Sequence, residues 1–174
     1  YVEQKNPLNS DKRNNWKMMN TMGINYAKGV ELGLKWKPKN TNFEMDFDYT
    51  YTDSYDSNNC YDGCTLESGM RDAKVRVPKN TFTSIINHKT LPGLNNSLII
   101  KYVDETRDFG NANNSWADVL LDDYITFGLS SNYRIFDNIN LTFDVTNLLD
   151  TKYEQSYQYS QMGRSLNIGL KRVY

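Results

Sequence analysis

The stretch that decides the fold closes the chain and reads Gly163-Arg164-Ser165-Leu166-Asn167-Ile168-Gly169-Leu170-Lys171-Arg172-Val173-Tyr174. Side chains of a β-strand point alternately to its two faces. One face here is apolar and the other polar, with Leu166, Ile168, Leu170 and Tyr174 set against Ser165, Asn167, Gly169 and Lys171. The strand is therefore predicted to meet an apolar medium on one side and a polar medium on the other.

Further segments alternate in the same way, so an antiparallel meander of about seven strands is predicted. The other six strands are expected at 26–37, 43–52, 74–89, 97–106, 119–135 and 139–147, and residues 1–3 would be the stub of an eighth. Segment 43–52 alternates most clearly, because its polar face carries Glu44, Asp46 and Asp48. These carboxylates are expected to face water and to pair with Lys35 and Lys37 on the neighbouring strand.

Three residues weaken the pattern in the middle of the chain. Ile85 and Val103 place apolar side chains on the polar face of their segments. Pro78 cannot donate to a ladder, so it is expected near the end of a strand.

The connections between these strands alternate in length. Those at 38–42, 91–96 and 136–138 are short, whereas those at 54–72, 107–118 and 151–162 are long. Transmembrane barrels have short periplasmic turns and longer extracellular loops, so the pattern predicts a periplasmic C-terminus. Trp36, Phe43 and Tyr174 would then lie together in an aromatic girdle at the periplasmic rim.

The composition of the 174 residues fits this prediction and argues against other classes. Only 39% of residues are hydrophobic, and the mean hydropathy is −0.71. The chain has no long apolar run that would form a transmembrane helix. The 13 tyrosines suit a membrane interface. A net charge of −1, spread along the chain, argues against a nucleic-acid partner.

Two motifs near the end of the chain carry a resemblance to a known family. The segment Asn147-Leu148-Leu149-Asp150-Thr151-Lys152-Tyr153, followed by Gly163-Arg164 and the closing strand, resembles the C-terminal end of TonB-dependent outer-membrane receptors. The residues that match the family motif are Asn147, Leu148, Asp150, Tyr153, Gly163 and Arg164. The chain departs from the family at Leu149 and Tyr174, where Phe is usual, and at Arg172, where an apolar residue is usual.

Upstream matches extend the resemblance over nearly the whole chain. They lie in Lys28-Gly29-Val30-Glu31-Leu32, in Asp48-Tyr49-Thr50-Tyr51-Thr52-Asp53 and in Arg76-Val77-Pro78-Lys79. The segment that carries Tyr153-Glu154, Tyr157-Gln158-Tyr159 and Gly163-Arg164 is most similar to the vitamin B12 (cobalamin) receptor branch.

The resemblance implies a function as well as a fold. Residues 1–174 would be the C-terminal part of a barrel of about 22 strands in the outer membrane of a Gram-negative bacterium. The plug domain, the TonB-binding segment and the earlier strands would belong to the rest of the receptor. The expected activity is uptake of a scarce small molecule, either cobalamin, which is favoured, or an iron chelate. The expected partners are outer-membrane lipids, TonB, the plug and the barrel-assembly machinery, which would recognise Leu166, Ile168, Leu170 and Tyr174 as an insertion signal.

Two other architectures remain as alternatives. One is a complete eight-stranded outer-membrane barrel with a structural or adhesive role, which requires a full strand at the start of the chain. The other is a soluble β-sandwich binding module, which would not explain the alternation of loop lengths.

The remaining candidate sites each have a simpler interpretation. Cys60 and Cys64 lie in the longest predicted loop, where a disulfide is favoured over two free thiols and zinc is improbable. An acidic group could hold calcium, but a solvated loop is the better explanation; its members are Asp104, Glu105, Asp108, Asp118, Asp122 and Asp123. His88 is expected to pack at the membrane interface, since no nucleophile motif accompanies it. No catalytic, cofactor or metal residue is assigned, and an enzyme is not expected.

Overall fold

The structure is a computed structural model that describes residues 1–5, 8–11, 17–20, 24–56, 72–112 and 115–172. The described part is all-β. Its strands are β1 (Val2–Lys5), β2 (Leu8–Asp11), β3 (Lys17–Asn20), β4 (Ile24–Trp36), β5 (Phe43–Asp56), β6 (Asp72–Ala73), β7 (Asn80–Leu91), β8 (Leu94–Val103), β9 (Thr106–Ala112), β10 (Ser115–Leu121), β11 (Tyr124–Phe136), β12 (Ile139–Thr146), β13 (Glu154–Ser156), β14 (Tyr159–Ser160) and β15 (Ser165–Arg172). No helix in these ranges is long and apolar enough to cross a membrane.

The long strands form one antiparallel sheet in the order β1-β4-β5-β7-β8-β11-β12-β15, with β6 paired to β5. The meander predicted from alternation is therefore confirmed. An eighth strand is also present, because β1 pairs with β4 from Val2 opposite Ala27 to Lys5 opposite Ile24. The order runs from β1 to β15, so the described strands form an open sheet and not a closed eight-stranded barrel.

The register of the sheet places apolar side chains opposite one another from strand to strand. Directly paired residues share a face, and one row of pairs crosses seven strands: Trp36, Met45, Ile86, Leu98, Leu129, Val145 and Leu166. We call the face that carries this row the apolar face. Its side chains are well exposed near both edges of the sheet, as at Leu34 on β4 (61%) and Ile168 on β15 (68%). A soluble sandwich would cover such a face with a second sheet, so this alternative is not supported.

The opposite face, which we call the polar face, carries charged and hydrogen-bonded side chains. Lys35 contacts both Glu44 and Asp46, at 2.7 and 3.3 Å, and Lys37 contacts Glu44 at 2.9 Å. The expected pairing across β4 and β5 is thus found for these residues, whereas Asp48 lies opposite Gly33. Further along the sheet, Ser97 Oγ donates to Asn87 Oδ1 at 2.6 Å and Ser130 Oγ to Asp144 Oδ1 at 2.5 Å.

The connections define two ends of the sheet. At the short-turn end, β4 joins β5, β7 joins β8 and β11 joins β12. The turn between β7 and β8 contains only Pro92 and Gly93, and Gly93 has φ +83°, a conformation that favours glycine. The predicted turn at 91–96 was therefore too long. The expected contact between Trp36 and Phe43 is present at this end, edge-on with ring centroids 5.7 Å apart, and Tyr174 lies outside the described residues.

At the long-loop end, the prediction of one strand over 119–135 is wrong. The structure has two strands there, because β10 pairs with β9 and β11 pairs with β8. The register is the same on both sides of the break, since Leu121 lies opposite Thr106 and Tyr124 opposite Val103. The ladder is interrupted where Asp104-Glu105 would face Asp122-Asp123, and like charges directly opposite destabilise strand pairing.

Two of the predicted long loops therefore contain short hairpins. Segment 107–118 belongs mostly to the hairpin β9–β10, and segment 151–162 contains β13 and β14. The strand predicted over 74–89 begins only at Asn80. Arg76, at φ 60°, lies in the left-handed region, and Pro78 precedes the strand as expected.

Candidate functional site at the long-loop end

Asn147 fixes the start of the loop between β12 and β15, which we call the last loop. Its side chain amide donates to the Thr151 carbonyl at 2.9 Å, and its Oδ1 accepts from the Thr151 N–H at 2.9 Å. Asn147 is only 6% exposed and has φ 50°, a conformation that Asn tolerates better than most residues. Leu148 joins the same turn to the sheet, because its N–H donates to the Phe127 carbonyl at 2.7 Å.

Asp150 connects the start of the last loop to its end. Its Oδ1 accepts the Arg164 N–H at 2.8 Å, and its Oδ2 lies 3.1 Å from Lys152 Nζ. The hydrogen bond from the Arg164 N–H, followed by Lys152, lowers the pKa of the Asp150 carboxyl. A Cβ on Gly163 would lie 2.5 Å from Asp150 Oδ1, so any larger residue there would have to displace the Asp150 carboxylate. The motif residues thus close the loop at its base.

Tyr153 continues from this base over the polar face of the sheet. Its ring stacks on that of Tyr124, with centroids 4.1 Å apart and planes at 27°, and Gln155 Nε2 donates to the Tyr124 hydroxyl at 3.0 Å. Tyr124 and its partner Val103 are buried, at 7% and 8% exposure. Val103 breaks the alternation because it is covered at this level and does not meet water. We call the stacked rings of Tyr124 and Tyr153 the aromatic ledge. The Tyr124 hydroxyl and the Gln155 side chain amide lie beside it.

Asp108, on β9, is the most completely buried large side chain in the described ranges, at 1% exposure. Its Oδ1 accepts from Arg76 Nε at 2.8 Å, and its Oδ2 accepts from the Tyr157 N–H at 2.7 Å and from Ser156 Oγ at 3.1 Å. The sequence placed Asp108 only within an acidic group. Its partners lie 32 to 49 positions away, so no local signal could identify it.

The rest of that acidic group is dispersed. Asp104 accepts from Asn80 Nδ2 at 2.6 Å and from the Tyr102 hydroxyl at 3.3 Å, whereas Asp122 and Asp123 are exposed. No cluster of three or more His, Cys, Asp or Glu side chains suited to a metal ion occurs in the described ranges.

The other candidate residues lie away from this site. His88 lies on the apolar face at the short-turn end, opposite Phe43, and its Nδ1 is 3.0 Å from Thr90 Oγ1. Leu166, Ile168 and Leu170 lie on the apolar face of β15. Cys60 and Cys64 lie outside the described residues, so their disulfide stays a prediction.

Comparison with known proteins gives a family and a fold. The family model described as TonB dependent receptor-like, beta-barrel matches residues 1–148. No curated protein sequence matches the chain. Among solved structures, the siderophore receptor PiuA from Acinetobacter baumannii matches with 23% identity and a TM-score of 0.73, over 98% of this chain and 24% of that one.

Two further structures match over almost the whole chain. The pyoverdine outer membrane receptor FpvA from Pseudomonas aeruginosa matches with 16% identity and a TM-score of 0.75, over 99% of this chain and 26% of that one. The FrpB iron transporter from Neisseria meningitidis matches with 15% identity and a TM-score of 0.72, over 98% and 27%. At these identities the matches establish the fold, and the chain spans about a quarter of the length of each receptor.

Proposed function

Because the chain belongs to the TonB-dependent receptor β-barrel family, we propose that it forms the C-terminal part of the barrel wall of an outer-membrane receptor that imports a scarce metal chelate. The observation that carries this proposal is the register of the sheet, which keeps a continuous apolar row on one face and hydrogen-bonded polar side chains on the other. A wall between lipid and an aqueous lumen requires that division. The exposed apolar face would contact outer-membrane lipids.

An iron chelate is the substrate that we favour. The names of the three receptors above refer to a siderophore, to pyoverdine and to iron. The resemblance of the last loop to cobalamin receptors supports the second candidate, cobalamin. Both are small molecules that are too dilute to enter efficiently by diffusion, so either would need energy supplied through TonB and the plug domain.

The aromatic ledge, through the half-buried ring of Tyr153 that lies on Tyr124, is the part of this chain that we propose to contact the substrate. It lies on the polar face at the long-loop end, so in a closed barrel it would line the mouth of the lumen. Aromatic planes with a few fixed polar groups are typical of small-molecule sites. Tyr124 is buried beneath Tyr153 and accepts from Gln155 at 3.0 Å, so the ring of Tyr153 and the exposed amide of Gln155 are the groups that the ledge offers to a substrate.

The experiment that tests the function is uptake by cells that lack the gene. Deletion is expected to abolish import of a radiolabelled ferric siderophore, and import should return with the intact gene but not in a strain without TonB. Loss of cobalamin import with normal iron import would identify cobalamin as the substrate. Normal import of both substrates after deletion would refute the proposal.

A point substitution tests the ledge within the complete receptor. Tyr153→Ala should raise the half-saturation concentration for uptake, because the stacked ring is lost. Tyr133→Ala makes the same chemical change on the apolar face and should leave that concentration unchanged. Equal effects of the two substitutions would remove the ledge from the proposed site.

A further inference from the structure

The contacts of Asp108 join three separate parts of the long-loop end. Asp108 lies on the hairpin β9–β10, Arg76 lies in the segment before β7, and Ser156 and Tyr157 lie in the last loop. The hydrogen bonds to Asp108 therefore connect one loop to each of the other two. A buried carboxylate is tolerated only when its charge is paired and its oxygens accept hydrogen bonds. The three loops must keep their relative positions to meet that condition.

Two other contacts hold the same loops in the same arrangement. The Arg76 N–H donates to the Arg107 carbonyl at 2.8 Å, so the segment before β7 is fixed along β9 by its backbone. The Tyr157 ring lies directly against Gly110, where a Cβ would be 2.6 Å from Tyr157 Cδ1. The loops are therefore joined by an ion pair, by a backbone hydrogen bond and by close packing.

The last loop is held at two independent places. Its base is closed by Asn147 and Asp150, and its tip is held by Asp108 through Ser156 and Tyr157. Tyr153 lies between the two places, on the ring of Tyr124. Release of the tip should leave the base closed but free the hairpin β13–β14 to move above the aromatic ledge.

We propose that Asp108 and Arg76 are positioning residues that hold the hairpin β13–β14 over the polar face, so that the three loops act as one rigid unit at the substrate site. Neither residue needs to touch the substrate. The unit keeps Tyr153 and Tyr157 in place before the substrate arrives, and preorganised loops lose less conformational freedom on binding. Only the effect on substrate affinity rests on the proposed function; the coupling between the loops does not.

The coupling is tested by spin labelling of the complete receptor in which Cys60 and Cys64 are replaced by Ser. The label is attached through the substitution Tyr159→Cys, because Tyr159 is 70% exposed on β14. Arg76→Met and Asp108→Asn should both increase the mobility of this label, and Ser156→Ala should do so to a smaller extent. A label attached through Leu149→Cys, at a residue that is 62% exposed at the base of the loop, should keep its mobility in all three variants.

Asp122→Asn serves as the matched control, because Asp122 is an exposed carboxylate at the foot of the same hairpin. It should leave the label on β14 unchanged. Each variant is first checked for a folded barrel by the difference in gel mobility between unheated and boiled samples. If a folded Arg76→Met receptor keeps the mobility of the parent, the proposal is wrong. Ser156→Ala keeps the ion pair intact, so it tests the tip contact even if Asp108→Asn fails to assemble.

Uptake measurements separate the positioning role from the transport function. Arg76→Met should raise the half-saturation concentration severalfold and leave the maximal rate nearly unchanged. A mobile hairpin with unchanged half-saturation would overturn the positioning role. If the parent receptor imports no iron chelate but Arg76→Met still frees the hairpin, the proposed function fails while the coupling of the loops stands.

Discussion

Arg164 donates its backbone N–H to Asp150 Oδ1 at 2.8 Å, and this bond joins the two ends of the last loop across the mouth of the β12–β15 pair. The bond is charge-assisted, so it is stronger than a bond to a neutral acceptor. Lys152 adds a second contact to the same carboxylate at 3.1 Å. The closure of the loop is consequently sensitive to the charge of Asp150.

Acid should weaken the closure of the last loop through Asp150. The Arg164 N–H, followed by Lys152, lowers the pKa of Asp150 in the folded protein, so the carboxylate stabilises the fold above its unfolded pKa of about 4. That contribution is lost as the pH falls through the lowered folded pKa. Asp150→Asn should therefore reduce the thermal midpoint at neutral pH, and the difference from the parent should shrink in strong acid.

The thermal midpoint is read from gel mobility of unheated and heated receptor in detergent. Asp137→Asn, in the turn between β11 and β12, is the control for loss of a carboxylate at the other end of the sheet. A difference between parent and Asp150→Asn that stays constant down to the lowest pH would contradict the assigned role.

Substitution of Asn147 should open the base of the last loop. Asn147→Ala leaves the Thr151 N–H and carbonyl without their partner, at a cost of about 1–3 kcal/mol. It also places Ala at φ 50°, which adds about 1–2 kcal/mol. Asn147→Gly should show only the first of these effects. Hydrogen exchange of a peptide that covers 148–162 measures the loss of protection in each variant. Equal protection in Asn147→Ala and Asn147→Gly would show that the backbone conformation at 147 contributes nothing.

A charge on the apolar face of β15 should be far more harmful than one on its polar face. Ile168→Arg places the charge in lipid, at a cost of about 2–4 kcal/mol near the middle of a bilayer. Asn167→Arg, on the opposite face of the same strand, should be tolerated. The measurement is the amount of folded receptor recovered from outer membranes, and equal recovery of the two variants would mean that the faces are assigned wrongly.

Cys60 and Cys64 should be resistant to alkylation until a reductant is added. A disulfide within the loop would form in an oxidising exterior. Mass spectrometry of the intact receptor, treated with iodoacetamide with and without reduction, counts the free thiols. Alkylation of both cysteines without reduction would show that the disulfide is absent.

The strands were predictable where apolar and polar side chains alternate strictly between the two faces of the sheet. Segment 43–52 alternates because Met45 and Phe47 lie on the apolar face while Glu44 and Asp46 contact lysines on the polar face. The break after Leu121 was not predictable from alternation, because the same pattern continues through β10 and β11. It depends on which residues lie opposite, and Asp104-Glu105 become neighbours of Asp122-Asp123 only when the hairpin forms.

The residues of the candidate site were likewise predictable only in part. Asn147, Asp150, Gly163 and Arg164 were found through the family motif, and the structure brings them together at the base of the last loop. Asp108 was not distinguished from its acidic neighbours. Its role depends on burial and on partners from two distant loops, and neither is encoded in the residues beside it.

The shared contacts of Asp108 limit how the loops at the long-loop end can be exchanged between related receptors. A graft that transfers the hairpin β9–β10 alone would carry Asp108 without the Arg76 side chain and the Tyr157 N–H that bond to it. Arg76, Asp108 and the Ser156-Tyr157 pair would have to be transferred together. A chimaera that exchanges one of these loops alone should therefore assemble with a mobile hairpin β13–β14, whereas exchange of all three loops should keep the hairpin in place.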